Sequence, residues 1–169
     1  MTRFSVRHIP IFALLLSGGL LCGAWFFQYV LGYPPCQMCY WQRHVHKIVL
    51  AIAVLALALA AMGQRHPRLM AVLLGLALLA SFAMAFWHAG VEYKWWEGPA
   101  SCAASGDVPD YTGLTYEQIK ELMNKSKPPA CSDSPWPNSP ISMAGLNALI
   151  SLAGALVCFG FARKEAPDV

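Results

Sequence analysis

The sequence predicts an all-α fold: an integral membrane four-helix bundle with two extracytoplasmic loops. Two observations carry this. Of the 169 residues, 57% are hydrophobic and only 12% charged, where soluble chains average about 45–50% and about 25%. Histidine aside, the charges also leave four gaps: Arg7 to Arg43, Lys47 to Arg65, Arg68 to Glu92 and Asp133 to Arg163. Each gap holds an apolar run, over 11–30, 45–62, 69–89 and 141–161. About 20 helical residues, at about 1.5 Å each, cross a hydrocarbon core of about 30 Å. A soluble helix needs a polar face, and VLLGLALLASFAMAF in the third run has none. We therefore expect residues 1–169 to form a single transmembrane domain. The net charge of +3 is too small and scattered for nucleic-acid binding.

The elements follow in order. The first run, preceded by Arg3 and Arg7, exceeds the usual apolar segment of a signal peptide and ends in Trp25, Phe26, Phe27 and Tyr29, which favours a span. The second begins behind YPPCQMCYWQRH, Tyr33 to His44. The prolines suit a helix approach and first turn, so this helix is expected to start near Cys36. The connection to the third run, GQRHPR, carries Arg65 and Arg68, and the C-terminal tail carries Arg163 and Lys164. The long loop, about 90–140, holds four Lys and seven Asp/Glu, for a net −3. Basic loops stay cytoplasmic. Both termini are thus expected in the cytoplasm, and loops 31–44 and 90–140 outside. In the long loop, Thr115 and Gln118 fit a capping box. Tyr116, Ile119, Leu122 and Met123 give the short helix an apolar face, for the membrane surface or for packing within the loop.

This topology puts Cys36, Cys39, Cys102 and Cys131 in an oxidising compartment, where disulfides persist. Cys22 and Cys158 fall inside spans and are expected to be buried structural thiols. The pattern Gly19-x-x-x-Gly23 predicts close helix packing there. Cys39 falls in the first helical turn. Unpaired N–H groups favour a thiolate at such a place, and Arg43 follows one turn later on the same face. An arginine at this depth is costly unless it works. Haem attachment would require His where Tyr40 stands. Zinc needs four converging ligands, and the second cysteine pair is spread over 29 residues of loop, so no metal is expected. Cys102 and Cys131 fit either a static staple or a second pair for thiol exchange. Electrons from such exchange need an acceptor. With no haem motif or nucleotide loop, Cys39 and Arg43 beside apolar helices suit a lipid-soluble quinone. His44 and His46 are expected at headgroup level.

These features resemble the DsbB family, which forms disulfides in the bacterial periplasm by reducing quinone. The resemblance spans nearly the whole chain: four spans, CQMC opening the second, Arg43 four residues after Cys39, and two cysteines in the long loop. WHAGVEY…GPASC and C…PW…ISMAGLNALIS add looser similarity. It implies an inner-membrane thiol–disulfide oxidoreductase with Cys36, Cys39, Cys102 and Cys131 as catalytic residues. Its partner would be a DsbA-like thioredoxin-fold oxidase. Cys102 would be attacked by that partner, and Cys131 freed to engage Cys36. Cys39 would then be released toward the quinone, ubiquinone or menaquinone, with Arg43 polarising the ring and His88 as a further contact. Glu92 receives no role. The competing readings are a quinone reductase of the vitamin K epoxide reductase type and a non-catalytic membrane protein with two static disulfides.

Overall fold

A computed structural model describes residues 7–63, 66–102, 112–125, 129–133 and 141–164. Arg3, Arg65 and much of the long loop lie outside these residues. Four helices are long and apolar enough to cross a membrane: α1 (His8–Tyr29), α2 (Gln37–Ala61), α3 (Pro67–Glu92) and, last in the chain, α5 (Met143–Lys164). Between α3 and α5 come a short 3-10 turn, Ala100–Cys102, and the small helix α4, Tyr116–Lys125. No strand occurs among the described residues. The second helix begins at Gln37, well ahead of the apolar run at Val45, because Pro34 and Pro35 end the extended approach and Cys36 caps the helix.

α3 packs most extensively on α5, and α2 lies between α1 and α3. The core away from the two cysteine pairs is built mainly from small residues, Ala13, Ala53, Ala71, Ala155 and Ala162, around Val49, Leu74 and Leu78. Lipid tails are as apolar as leucine, so small residues serve here by letting helices approach and fit. A methyl at Gly75 would come within 2.8 Å of the Phe159 ring, and one at Gly154 within 2.9 Å of Leu16. Gly19 and Gly23 behave differently. A Cβ at either meets nothing within 4 Å, so the expected tight packing there is replaced by open space, with both glycines bordering a cavity.

Cys158 is fully buried, but Cys22 is exposed on the outer surface of the bundle, contrary to expectation. An apolar run in a membrane helix does not distinguish the side that meets protein from the side that meets lipid. His46 lies buried inside the bundle, held by Ser17 at 3.2 Å, Asn147 at 2.9 Å and Ser81 at 3.0 Å. Its place on α2 turns it toward the other helices, where those polar groups satisfy both ring nitrogens. His44 is exposed, and its Nδ1 lies 2.7 Å from the Tyr40 carbonyl.

α4 packs on the end of α1. Tyr116 packs against Tyr29 with the rings tilted and their centroids 5.0 Å apart, Gln28 donates to the Met123 sulfur at 3.6 Å, and Ile119 is buried. The Gln118 side chain reaches back to the Thr115 N–H at 2.9 Å, which is the reciprocal half of the capping box.

After α3 the chain turns sharply. Lys94 adopts φ 59°, the Trp95 N–H bonds back to the Gly90 carbonyl at 2.8 Å, and the Trp96 indole donates to the Trp87 carbonyl at 2.9 Å. Trp96 lies so close over Gly90 that a Cβ there would sit 2.0 Å from its ring. Gly90→Ala is therefore expected to lift the ring and destabilise the protein by about 1–3 kcal/mol, the usual cost of overpacking. A thermal unfolding scan in detergent checks this, and an unchanged Tm would refute it.

Candidate functional site

The site is built on the start of α2. Cys36 is its N-cap, with φ −75° and ψ 174°, and its sulfur accepts the Cys39 N–H at 3.3 Å. The sulfur thus does what a serine oxygen does at other helix starts. The Cys39 N–H is turned onto its neighbour, because the third helical residue points its N–H at the capping side chain. The two thiols are unbonded to each other, with Cys36 donating to Cys39 over 2.9 Å. That donation, followed by burial, pushes the Cys36 thiol well above the ordinary cysteine range. A thiol holding its proton is a poor nucleophile. At neutral pH, iodoacetamide is expected to alkylate Cys39 about ten times faster than Cys36. Peptide mass spectrometry reads the ratio, and preferential labelling of Cys36 would refute it.

The long-loop cysteines form a disulfide, Cys102–Cys131, with Cα atoms 5.2 Å apart. Cys102 ends the 3-10 turn, and the Cys131 N–H bonds to its carbonyl at 3.3 Å. Both sulfurs are buried in a small cluster with Cys36, Met38 and Val91, against Cys39 and Trp41. The Cys36 and Cys131 sulfurs and a His88 ring nitrogen all lie within 4.8 Å of one another. This spacing also suits a metal, although the Cys131 sulfur is committed to its disulfide. Four cysteines from two loops thus meet in one place.

His88 is buried on the last turns of α3. Its Nε2 lies 3.4 Å from the Cys36 sulfur and 4.0 Å from Glu92 Oε1. The Glu92 side chain is buried too, and its Oε2 has no hydrogen-bond partner among the described residues. Cys39 and Arg43 both border a cavity of about 420 Å³ whose walls include Gly19, Gly23, His46 and His88. The Arg43 guanidinium donates to the Gln28 side-chain oxygen and, at 3.2 Å, to the Ala24 carbonyl. It also interacts electrostatically with Cys39 and lies 5.5 Å from the Tyr40 ring centroid. α1 therefore fixes the arginine. Sequence reasoning missed Gln28, Gln42 and Asn147. Their one signal was an amide at a helical position in a membrane bundle, where it must find internal partners.

A four-helix membrane bundle with a dithiol at one helix start, and a second cysteine pair packed against it, defines a membrane protein of thiol–disulfide exchange. The chain belongs to the family described as disulfide bond formation protein DsbB, whose model matches residues 6–161. It is a membrane disulfide oxidoreductase that works with a disulfide partner. It is also similar to the "Uncharacterized protein RP370" of Rickettsia prowazekii (strain Madrid E), with 23% identity over 150 residues, covering 89% of this chain and 83% of that protein. No solved structure matches.

Proposed function

We propose that the chain reoxidises a periplasmic thioredoxin-fold dithiol oxidase and passes the electrons to membrane quinone from the bacterial inner membrane. The observation that carries this is the contiguity of three features: the Cys102–Cys131 disulfide, the Cys36–Cys39 dithiol and the cavity bordered by Cys39 and Arg43. The excess of basic residues in the tails and the short hairpin supports placing the cysteine end in the periplasm.

The partner's thiolate attacks Cys102 and Cys131 leaves. Cys131 then attacks Cys36 of the oxidised Cys36–Cys39 pair, releasing Cys39 beside the cavity. Attack of the partner's second thiol on its bond to Cys102 frees oxidised partner. Cys102 then takes Cys131 back from Cys36. The state that follows has the loop disulfide closed and both α2 cysteines reduced.

The cavity fits a quinone ring in size, since ligand sites span about 300–1,000 Å³, and in chemistry, since its walls are apolar with a few polar groups. A quinone held there would supply the acceptor for the two electrons and two protons given up as the Cys36–Cys39 dithiol closes to its disulfide. Arg43, clamped by Gln28 and Ala24, supplies a fixed positive charge beside Cys39, and His88 stands on the same wall. The test is oxidation of a reduced thioredoxin-fold dithiol protein by the purified chain with ubiquinone or menaquinone, following partner thiols and quinone absorbance together. One quinone should be consumed per disulfide formed. Partner oxidation that ignores quinone, or none at all, would overturn the reading.

A further inference from the structure

Polar side chains that the exchange steps leave unused run from mid-bundle to the cysteine cluster. Among them Gln42, His46, His88, Ser17, Ser81 and Ser151 are buried. Within a membrane bundle each must be satisfied internally, and here each satisfies the next. His46 Nδ1 lies 3.2 Å from the Ser17 hydroxyl, and its Nε2 lies 2.9 Å from Asn147 Oδ1. Asn147 Nδ2 donates to Gln42 Oε1 at 2.7 Å, and Gln42 Nε2 lies 2.6 Å from His88 Nδ1. Ser151 donates to Asn147 Oδ1 at 3.1 Å, which helps orient that amide.

An amide has one accepting and one donating end, so this chain has a direction. With Gln42 Oε1 accepting from Asn147, Gln42 Nε2 faces His88 and donates to Nδ1. Nδ1 then carries no proton, and the ring's proton is on Nε2. The surroundings of Nε2 agree independently: the Cys36 sulfur at 3.4 Å and Glu92 Oε1 at 4.0 Å are both acceptors. The tautomer is assigned from these partners.

We propose that Gln42 and Asn147 are positioning residues that lock His88 with its proton on Nε2, aimed at the Cys36 sulfur, where it hydrogen-bonds the charge that sulfur acquires on leaving Cys131. The step served is the return of Cys131 to Cys102, and for that step the inference rests on the functional reading above. The Cys102 thiolate attacks Cys131, the Cys102–Cys131 bond forms, the Cys131–Cys36 bond breaks, and the electron pair stays on Cys36. One thiolate enters and one leaves, and no proton is needed from His88. A neutral N–H preset at the developing charge stabilises it without reorganisation.

The experiment is nitrogen NMR of the reduced full chain, with ¹⁵N-labelled imidazoles in lipid nanodiscs, without quinone or partner. The His88 signals are assigned by their loss in His88→Asn. The expected spectrum is a protonated, pyrrole-type Nε2 and a bare, pyridine-type Nδ1. Gln42→Met and Asn147→Leu are expected to lose the single tautomer and give a mixture. A proton on Nδ1 in the unaltered protein would overturn the proposal, and so would an unchanged tautomer in both variants. If neither variant folds, the unaltered protein still decides it. Because no electron acceptor is present, failure here leaves the functional reading standing. A chain inert to quinone but with the expected tautomer would sink only that reading.

Discussion

A reduced thioredoxin-fold partner lacking its resolving cysteine is expected to accumulate as a disulfide adduct on Cys102. Cys131→Ser is expected to abolish both that adduct and turnover. The reason is covalent. The partner's thiolate can displace a sulfur only from an existing disulfide, and Cys102 has one only through Cys131. Once freed, the Cys131 sulfur stands within 4.8 Å of Cys36, so nothing larger than a local shift separates the first exchange from the second. Non-reducing electrophoresis with mass mapping of the linked peptides reads the result. An adduct on Cys36 or Cys39, or one that survives Cys131→Ser, would show that electrons enter elsewhere.

The second large effect is at Arg43. A hydrogen bond to a charged group contributes about 1.5–3 kcal/mol, and about 1.4 kcal/mol is a factor of ten. Arg43→Ala is therefore expected to raise the apparent KM for quinone about 10- to 100-fold, with the partner's KM unchanged. Arg43→Lys should fall between, because lysine keeps the charge but not the planar fork that engages Gln28 and the Ala24 carbonyl together. Steady-state kinetics over a quinone series decides it. An unchanged quinone KM would remove Arg43 from the site.

The four long helices were legible because charge is excluded from a bilayer core, and the gaps between charges mark the helices directly. The start of α2 was legible from Pro34, Pro35 and the need to cap a helix. What escaped was rotation and register. A soluble helix advertises its inner face by leaving polar residues on the other. Here both faces are apolar, so nothing in the sequence turned His46 inward or Cys22 outward. Gly19 and Gly23 show the same ambiguity, since a small residue serves equally to admit a neighbouring helix or to leave room. The alignment of Gln42, Asn147 and His88 needs contacts between α2, α3 and α5, and no single segment encodes that meeting.

The covalent tie between residues 102 and 131 has a practical consequence. If a protease site were engineered into the segment it encloses, one cut would divide the polypeptide into two pieces joined by sulfur alone. The oxidised protein would migrate as one band and the reduced protein as two. Because a Cys131–Cys36 bond would also join the two pieces, the two-band pattern would mark the state in which Cys131 is bonded to neither Cys102 nor Cys36, visible on a denaturing gel without a chemical label.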